Sequence, residues 1–420
     1  MSQEPFIKDL NLLSNLKLRA SWGVIGNQAI NPYQTISSME SGFNYPYTGG
    51  ETTDLGFRIA SASNPDLKWE STSQANLGLD AGMFDGRLNV TVDVYKKKTE
   101  DLLLNRTLPT YTGLRSIIDN VGSVENKGLE LSISGDPIVR GLKWNTGFNI
   151  SWNRNKVLDL GESERLEFRT TYGGYSLRNG FMQLRVGEPF GQMYGYGFEG
   201  VWKESEAAQA AAFGQLPGDP KYTDVNNDQK ITTSDIKVIG NSIPDFVFGW
   251  NNRLIIKSFE INMLIQGSKG NDIFNQGRIR LERAGEGTSS RLLDRWTPEN
   301  QNTDVPAFID DVTRMNAALV STISFGRGDN ERLSRWVEDG SYIRLKNITL
   351  GYNIPSSLLQ RMGIINAKVY ISGTNLLTLT KYTGYDPEVS AYNGNDAQIG
   401  VDISNYPTAK TFTFGIDVSF

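Results

Sequence analysis

The residues best placed to do chemistry lie at 224–235, DVNNDQKITTSD. Asp224, Asn226, Asp228, Thr232 and Asp235 put side-chain oxygens at positions 1, 3, 5, 9 and 12 of this stretch, and the Lys230 carbonyl falls at position 7. That is the donor spacing with which a loop wraps one Ca²⁺ in oxygen ligands. Ile231, at position 8, is an apolar residue able to anchor such a loop to its surroundings. Two residues depart from the pattern. Gln229 occupies position 6, where glycine usually permits a sharp turn, and Asp235 is shorter than the usual bidentate Glu at position 12. The same residues also make an Asx-rich solvated turn, which needs no ion. Asp224, Asn226, Asp228, Lys230, Thr232 and Asp235 are therefore a candidate Ca²⁺ site whose role would be to order a loop, not to catalyse.

Most other chemistry is excluded by composition. The chain has no Cys and no His. Thiolate nucleophiles, disulfides, Ser-His-Asp triads and zinc sites built on these residues are absent with them. The acidic neighbours Glu162/Glu164, Asp310/Asp311 and Glu338/Asp339 fall in loop-like stretches and read as solvated charge; spacing alone does not make a glycosidase pair. Gly195, Gly197 and Gly200 sit in a strand pattern with no βα unit, so they are no nucleotide fingerprint. A net charge of −5 with both signs mixed carries no nucleic-acid footprint. No enzymatic activity is expected. Tyr45, Tyr47, Tyr172, Tyr175 and Tyr385 are loop aromatics able to stack on sugar rings or to pack loops together.

The elements that must position these residues are strands. At the C-terminus Phe412, Phe414, Ile416, Val418 and Phe420 alternate with Thr411, Thr413, Gly415, Asp417 and Ser419. One face of that strand is apolar and the other small and polar. The same period recurs at about 15–24, 69–84, 87–98, 124–134, 142–153, 179–186, 191–201, 246–256, 259–267, 341–354 and 366–377, which with the last strand makes about twelve. Asp85-Gly86 reads as a tight hairpin turn. In 341–354 the apolar residues change parity between Leu345 and Ile348, which predicts a bulge or break. Connections alternate long and short along the chain. That is the pattern of an outer-membrane barrel, with long extracellular loops and short periplasmic turns. No run approaches the roughly 18–20 apolar residues of a membrane helix. Trp22, Trp144, Trp152, Tyr194, Tyr196, Phe198 and Trp250 read as girdle or lipid-facing aromatics.

NLKLRASWGVIGNQAI, NPDLKWESTSQANLGLD, VYKKKTEDLLL, NVGSVENKGLELSIS, GEPFGQMYGYGFEGVW, DGSYIRLKNITLGYNIP and the terminal FTFGIDVSF resemble the C-terminal portion of SusC/RagA-type TonB-linked outer-membrane transporters. The likeness runs over nearly the whole chain. It implies a plugged barrel of about 22 strands that imports large nutrients, oligosaccharides or peptides. It also implies a SusD-like surface lipoprotein as a lid and the TonB complex as the drive from the periplasm. This sequence shows neither a plug domain nor a TonB-contacting segment, and about half the strands. The expectation is an all-β chain: an antiparallel transmembrane β-barrel portion over 1–420, set in outer-membrane lipid, with an extracellular loop at 202–243 carrying the Ca²⁺-type motif. The alternative is a calcium-stabilised soluble β-sandwich at the cell surface.

Overall fold

The computed structural model describes residues 13–27, 33, 35–43, 55–108, 110–114, 116–172, 175–282, 288–307, 333–360, 363–388 and 399–420. One ten-stranded antiparallel sheet forms the wall. Its strands are β1 (Leu13–Asn27), β2 (Glu70–Met83), β3 (Leu88–Glu100), β4 (Ser123–Ile138), β5 (Leu142–Asp159), β6 (Phe246–Ile256), β7 (Phe259–Lys269), β8 (Tyr342–Asn353), β9 (Asn366–Thr380) and β10 (Thr411–Ser419). Each strand pairs with the next in sequence, so the wall is an uninterrupted meander. The connections 28–69, 101–122, 160–245, 270–341 and 381–410 all leave and rejoin the wall at one end. The connections 84–87, 139–141, 257–258 and 354–365 lie at the other.

The register shows what the alternation is for. Residues directly opposite across a ladder share a face. Leu18 faces Leu79, Leu79 faces Val92, Val92 faces Leu131, and Leu131 faces Ile150. Ile150 then faces Phe248, and beyond it come Gly267, Ile343 and Leu379. An apolar row thus crosses nine strands. Gly267 interrupts it without leaving a gap, because the Phe248 ring lies where a Cβ would be. The neighbouring row on the other face is polar: Asp80, Thr91, Ser132, Asn149, Gly249, Gln266, Arg344 and Thr378. The apolar rows are uncovered. Leu77 is 54% exposed, Val94 51% and Phe414 77%. Neither buried apolar cluster contains a residue of these rows. A soluble sandwich would press them against a second sheet, and none of the described residues does so.

Aromatics gather at both ends of the apolar face. Trp22, Trp152 and Phe246 lie toward the long connections, the last two with ring centroids 6.3 Å apart. Trp144, Phe259 and Tyr352 lie toward the short turns, the last two 4.9 Å apart. The expected bulge is present. The pairing shifts between Leu345 and Asn347, so Lys346 is the extra residue, and Ile343, Leu345, Ile348 and Leu350 all stay on the apolar face. At the 84–87 turn Phe84, Asp85 and Gly86 all take left-handed backbone, as the Asp-Gly signal requires. The short turn at 257–258 has Lys257 left-handed as well.

Two of the twelve expected strands do not belong to the wall. The segments near 179–186 and 191–201 become Tyr175–Arg185, Gln192–Gly195 and Phe198–Val201. The first two join Arg165–Tyr172 and Lys237–Asn241 in a separate four-stranded sheet, and the third pairs with Pro220–Tyr222. Because two strands leave together, the long–short alternation of the remaining ten is unchanged. Tyr194 and Tyr196 are correspondingly not girdle residues; both are buried, and Phe198 packs on the same core. The stretch QMYG is buried at every position without alternation, as in a strand covered on both faces. RLLDRW contains only a short 3₁₀ turn, Ser290–Asp294. No helix among the described residues is long and apolar enough to cross a membrane, which says nothing of crossing strands.

Parity makes this arrangement testable. Leu131→Arg or Phe248→Arg should cost about 2–4 kcal/mol in denaturant unfolding from lipid vesicles. Ser132→Arg, on the opposite face, should cost far less. Equal losses at both parities would contradict a lipid-facing row.

Candidate functional site

The described parts of the three longest C-terminal connections pack into one unit at the long-connection end of the wall. Its core joins Phe181, Met193, Tyr196, Tyr222 and Ile231 from 160–245 with Phe274 and Trp336 from 270–341 and Val401 from 381–410. The Phe181 and Phe274 rings are 4.5 Å apart. A second cluster, Val157, Leu160 and Leu184, seats this unit on the inner side of β5. Asn155 adds a polar tie there: its Oδ1 accepts from the Phe190 N–H at 2.8 Å.

The Ca²⁺-type loop runs between Pro220–Tyr222 and Lys237–Asn241. Ile231 is 1% exposed and lies in the core, as its position in the motif predicts. Asn227 and Gln229 both take left-handed backbone at φ 59°, so Gln229 makes the turn usually left to glycine. The acidic and amide side chains fold back onto the loop's own N–H groups. Asp224 Oδ2 accepts from Gln229 N at 2.8 Å, and Asp228 Oδ1 accepts from Lys230 N at 2.8 Å. Asn226 Oδ1 accepts from Asp228 N at 3.2 Å, while its amide donates to Asp228 Oδ2 at 2.9 Å. Asp235 is fully buried and closes the loop, accepting from Val225 N at 2.9 Å and Thr232 N at 2.7 Å. Thr232 caps the turn Thr233–Asp235 by accepting from Ser234 N. Among the described residues, no three His, Cys, Asp or Glu side chains converge as a metal site. The six residues are therefore neighbours in a self-bonded loop of Asx turns, with Asp235 as its buried anchor.

Two ion-pair clamps hold the unit together, and sequence reading missed both. In the first, Arg344 on the inner face of β8 bonds Asp386 at 2.6 Å and Glu388 at 2.5 Å, with the Arg344 and Asp386 side chains each 3% exposed. Arg344 Nε also donates to Thr378 at 2.9 Å. Glu388 accepts further from Tyr342 at 2.7 Å, from Lys346 at 3.1 Å and from Gln266. The last connection is thus tied to β7, β8 and β9 together. Burial pushes the Asp386 carboxyl up, but hydrogen bonds from Arg344, Thr408 and the Glu388 N–H outweigh it and hold the group at about 2. In the second clamp Glu282 bonds Arg278 at 2.7 Å and Arg335 at 2.8 Å. Arg278 also bonds Glu338 at 2.7 Å, and Glu338 accepts from the Thr383 N–H at 2.7 Å. Glu338 is therefore no solvated charge; it links the 270–341 and 381–410 connections. Asp339 is more exposed and accepts from Ser341 N. Glu162 and Glu164 are exposed, as expected, whereas Asp310 and Asp311 lie outside the described residues.

The inner face of the wall is polar and charged. Arg19 bridges Asp80 at 2.7 Å and Asp93 at 2.9 Å, and Thr91 donates to Asp80. Asp93 sits directly opposite Glu130. A groove of about 550 Å³ runs along this face, lined by Asp93, Glu130, Ser132, Asn149 and Gln266 among others. Such a surface binds through hydrogen bonds and charge; it holds no nucleophile–base pair. Of the loop aromatics, Tyr385 is 72% exposed and Tyr45 and Tyr47 lie outside the described residues. Tyr172 and Tyr175 pair through their backbones in the four-stranded sheet.

The first clamp carries a pH dependence with a definite sign. A carboxyl held near 2 in the fold and near 3.9 when released stabilises the clamp above the higher value and loses that stabilisation as pH falls toward the lower. Pepsin cleavage within 381–410 should accelerate between about pH 4 and 2 while the wall strands stay resistant. Arg344→Met should loosen the same segment at neutral pH, at a cost of about 3–5 kcal/mol, because it strands two carboxylates in a dry site. Unchanged proteolysis in both cases would show that the clamp does not hold the connection.

Comparison with known proteins agrees with this architecture. The family model described as TonB dependent receptor-like, beta-barrel, matches residues 9–262, more than half the chain. The chain is 38% identical over 428 residues to TonB-dependent receptor P3 of Formosa agariphila, covering 100% of this chain and 41% of that protein. It is 28% identical over 432 residues to TonB-dependent receptor SusC of Bacteroides thetaiotaomicron, covering 100% and 39%. Among solved structures it superposes on the RagAB peptide transporter with a TM-score of 0.77 at 27% identity, over 99% of this chain and 42% of that one. The chain therefore spans about two fifths of the length of the relatives it matches. The ten-strand meander, its uncovered apolar rows and these matches together make the chain a member of the TonB-dependent receptor β-barrel family, of the SusC/RagA type.

Proposed function

We propose that this chain supplies wall strands and surface loops to an outer-membrane importer of large nutrients, oligosaccharides or peptides. The observation that carries the reading is the apolar row that runs across nine strands with no second layer of described residues over it, and the polar, hydrogen-bonding face behind it. Lipid suits the first face and a wet lumen suits the second. The wall has two edge strands, β1 and β10, that are not paired with each other. Unpaired edges are untenable in hydrocarbon, so in the membrane both edges join further strands to close a larger barrel. The long connections then face outward from the cell and the short turns face the periplasm.

The clamped loop unit is the platform on which cargo and a SusD-like surface lipoprotein would meet, with the TonB complex acting from the periplasmic side. The likeness to the RagAB peptide transporter supports a peptide among the possible cargoes, and the SusC likeness supports the SusC/RagA mode of import. Non-enzymatic binding is the role of the surface, as for relatives named receptors. In the Ca²⁺-type loop, Asp224, Asn226, Asp228, Thr232 and Asp235, with the Lys230 carbonyl, would hold one structural ion. Calcium would supply charge to that loop and stiffen it.

Cell fractionation with an uptake assay tests the main reading. The protein should stay with detergent-extracted outer membrane, and deleting its gene should abolish uptake of one glycan or peptide fraction without altering growth on simple sugars. Release of the protein by a salt wash, with uptake intact, would favour the soluble surface module instead. Calorimetry should show EDTA-reversible Ca²⁺ binding by the folded protein that Asp228→Ala removes; no heat of binding would leave a purely self-bonded turn.

A further inference from the structure

The outward face of β3, β4 and β5 carries a cationic ledge at one end only. Reading from the short turns toward the long connections, β3 presents Leu88, Val90, Val92 and Val94, then Lys96 and Lys98. On β4 the corresponding order ends in Leu131, Leu129, Lys127 and Glu125, and on β5 in Ile150, Trp152, Arg154 and Lys156. Lys96 lies directly opposite Lys127, and Lys127 directly opposite Arg154. Like charges in such pairs destabilise a sheet. Glu125, directly opposite both Lys98 and Lys156, offsets this in part and leaves the cations of the ledge in excess. Lys96 is paired with Glu125 at 2.8 Å, Lys98 with Glu100 at 2.6 Å and Arg154 with Asp245 at 2.7 Å. Lys127 and Lys156 are exposed and donate no hydrogen bond among the described residues; both attract the Glu125 carboxylate, which Lys96 holds.

A second feature meets the ledge from below. An apolar groove of about 720 Å³ is lined by Trp22, Ala75, Leu77 and Val94, with Lys96 and Lys127 at its upper rim. Ala75 lies between Trp22 and Lys96 in the same cross-strand row, and its small side chain leaves the space open. Trp22, at 74% exposed, stands as one wall. Lysines near a membrane surface often just reach for water, but that would serve at both interfaces. On these three strands the outward cations are confined to the long-connection end.

We propose that the ledge and groove form a binding site for a phosphate-bearing glycolipid of the outer leaflet. One acyl chain lies in the groove beside Trp22, and the headgroup phosphate sits on Lys127 and Lys156, flanked by Lys96 and Arg154. This rests on the lipid-facing reading of the outward rows given above. Anionic headgroups are drawn to clustered Lys and Arg just outside the hydrocarbon, and the apolar groove restricts the ligand to a lipid. Seating one lipid here would set the height of the wall in the membrane beneath the clamped loop unit.

The test uses the intact receptor in phosphatidylcholine nanodiscs, with retained lipid counted by native mass spectrometry. The probes are lipid A carrying its phosphate and the same lipid A dephosphorylated. The wild type should retain the phosphorylated form and lose at least about ten-fold in retention when it is dephosphorylated. The triple variant K96Q/K127Q/K156Q should show a similar loss, whereas Lys97→Gln, on the inner face, should change nothing. Equal retention by wild type and triple variant, or equal loss with Lys97→Gln, would overturn the site. Displacement by millimolar inorganic phosphate would overturn the lipid assignment in favour of a free anion. Heat-modifiable migration on gels reports barrel insertion separately. A protein that never inserts refutes the lipid-facing reading and this site with it, while an inserted barrel with unselective retention refutes the site alone.

Discussion

Hydrocarbon offers no hydrogen bonds, and that single constraint organises the wall. Every backbone N–H and C=O within the membrane must find its partner in a neighbouring strand, and every outward side chain must be tolerable to lipid. A sequential antiparallel meander satisfies the first demand with the shortest possible turns. Period-two alternation satisfies the second. Where the two conflict, the chain adjusts the backbone. The extra residue at Lys346 lets β8 change parity, so Ile343 and Leu345 remain outward together with Ile348 and Leu350. Gly267 yields its side-chain space to Phe248, which keeps the apolar row filled.

A wall that gives its outer face to lipid must hold its loops from the inside. The described segments of the long connections do so with a core of their own and with carboxylates clamped by arginines. Burying Arg344, Asp386 and Glu388 together carries a desolvation cost that their mutual attraction offsets only because every group is also hydrogen-bonded. Such clamps specify one arrangement more than they add stability. Thr378, Tyr342 and Gln266 come from three adjacent strands, so the geometry that receives Asp386 and Glu388 exists only once the wall is paired. The Asx-turn loop is built on the same economy: its carboxylates serve its own N–H groups, and Asp235 and Ile231 sink its end into the core.

The two ends of the wall are chemically unlike. The short-turn end carries tight turns and the Phe259–Tyr352 aromatic contact. The long-connection end carries the loop unit inside and the cationic ledge outside.

Alternation by itself made the strands legible, together with their order, the Asp-Gly turn and the parity change in β8. These are local properties of a chain whose side chains point alternately to two solvents. The Ca²⁺-type loop was legible as a spacing, and so was the anchoring role of Ile231. What the chain could not announce was which period-two segments pair with the wall. GQMYGYGFEGVW carries interface-like aromatics, yet Tyr194 and Tyr196 are buried, because a strand covered on both faces and a girdle strand share a composition. Nor could it reveal that Glu338, beside Asp339 in a polar stretch, would meet Arg278 and Thr383, or that Arg344 would meet Asp386 across 42 positions. Such pairs depend on which connections land together above the barrel. Only the paired register of ten strands decides that, since it brings distant residues to one height on one face.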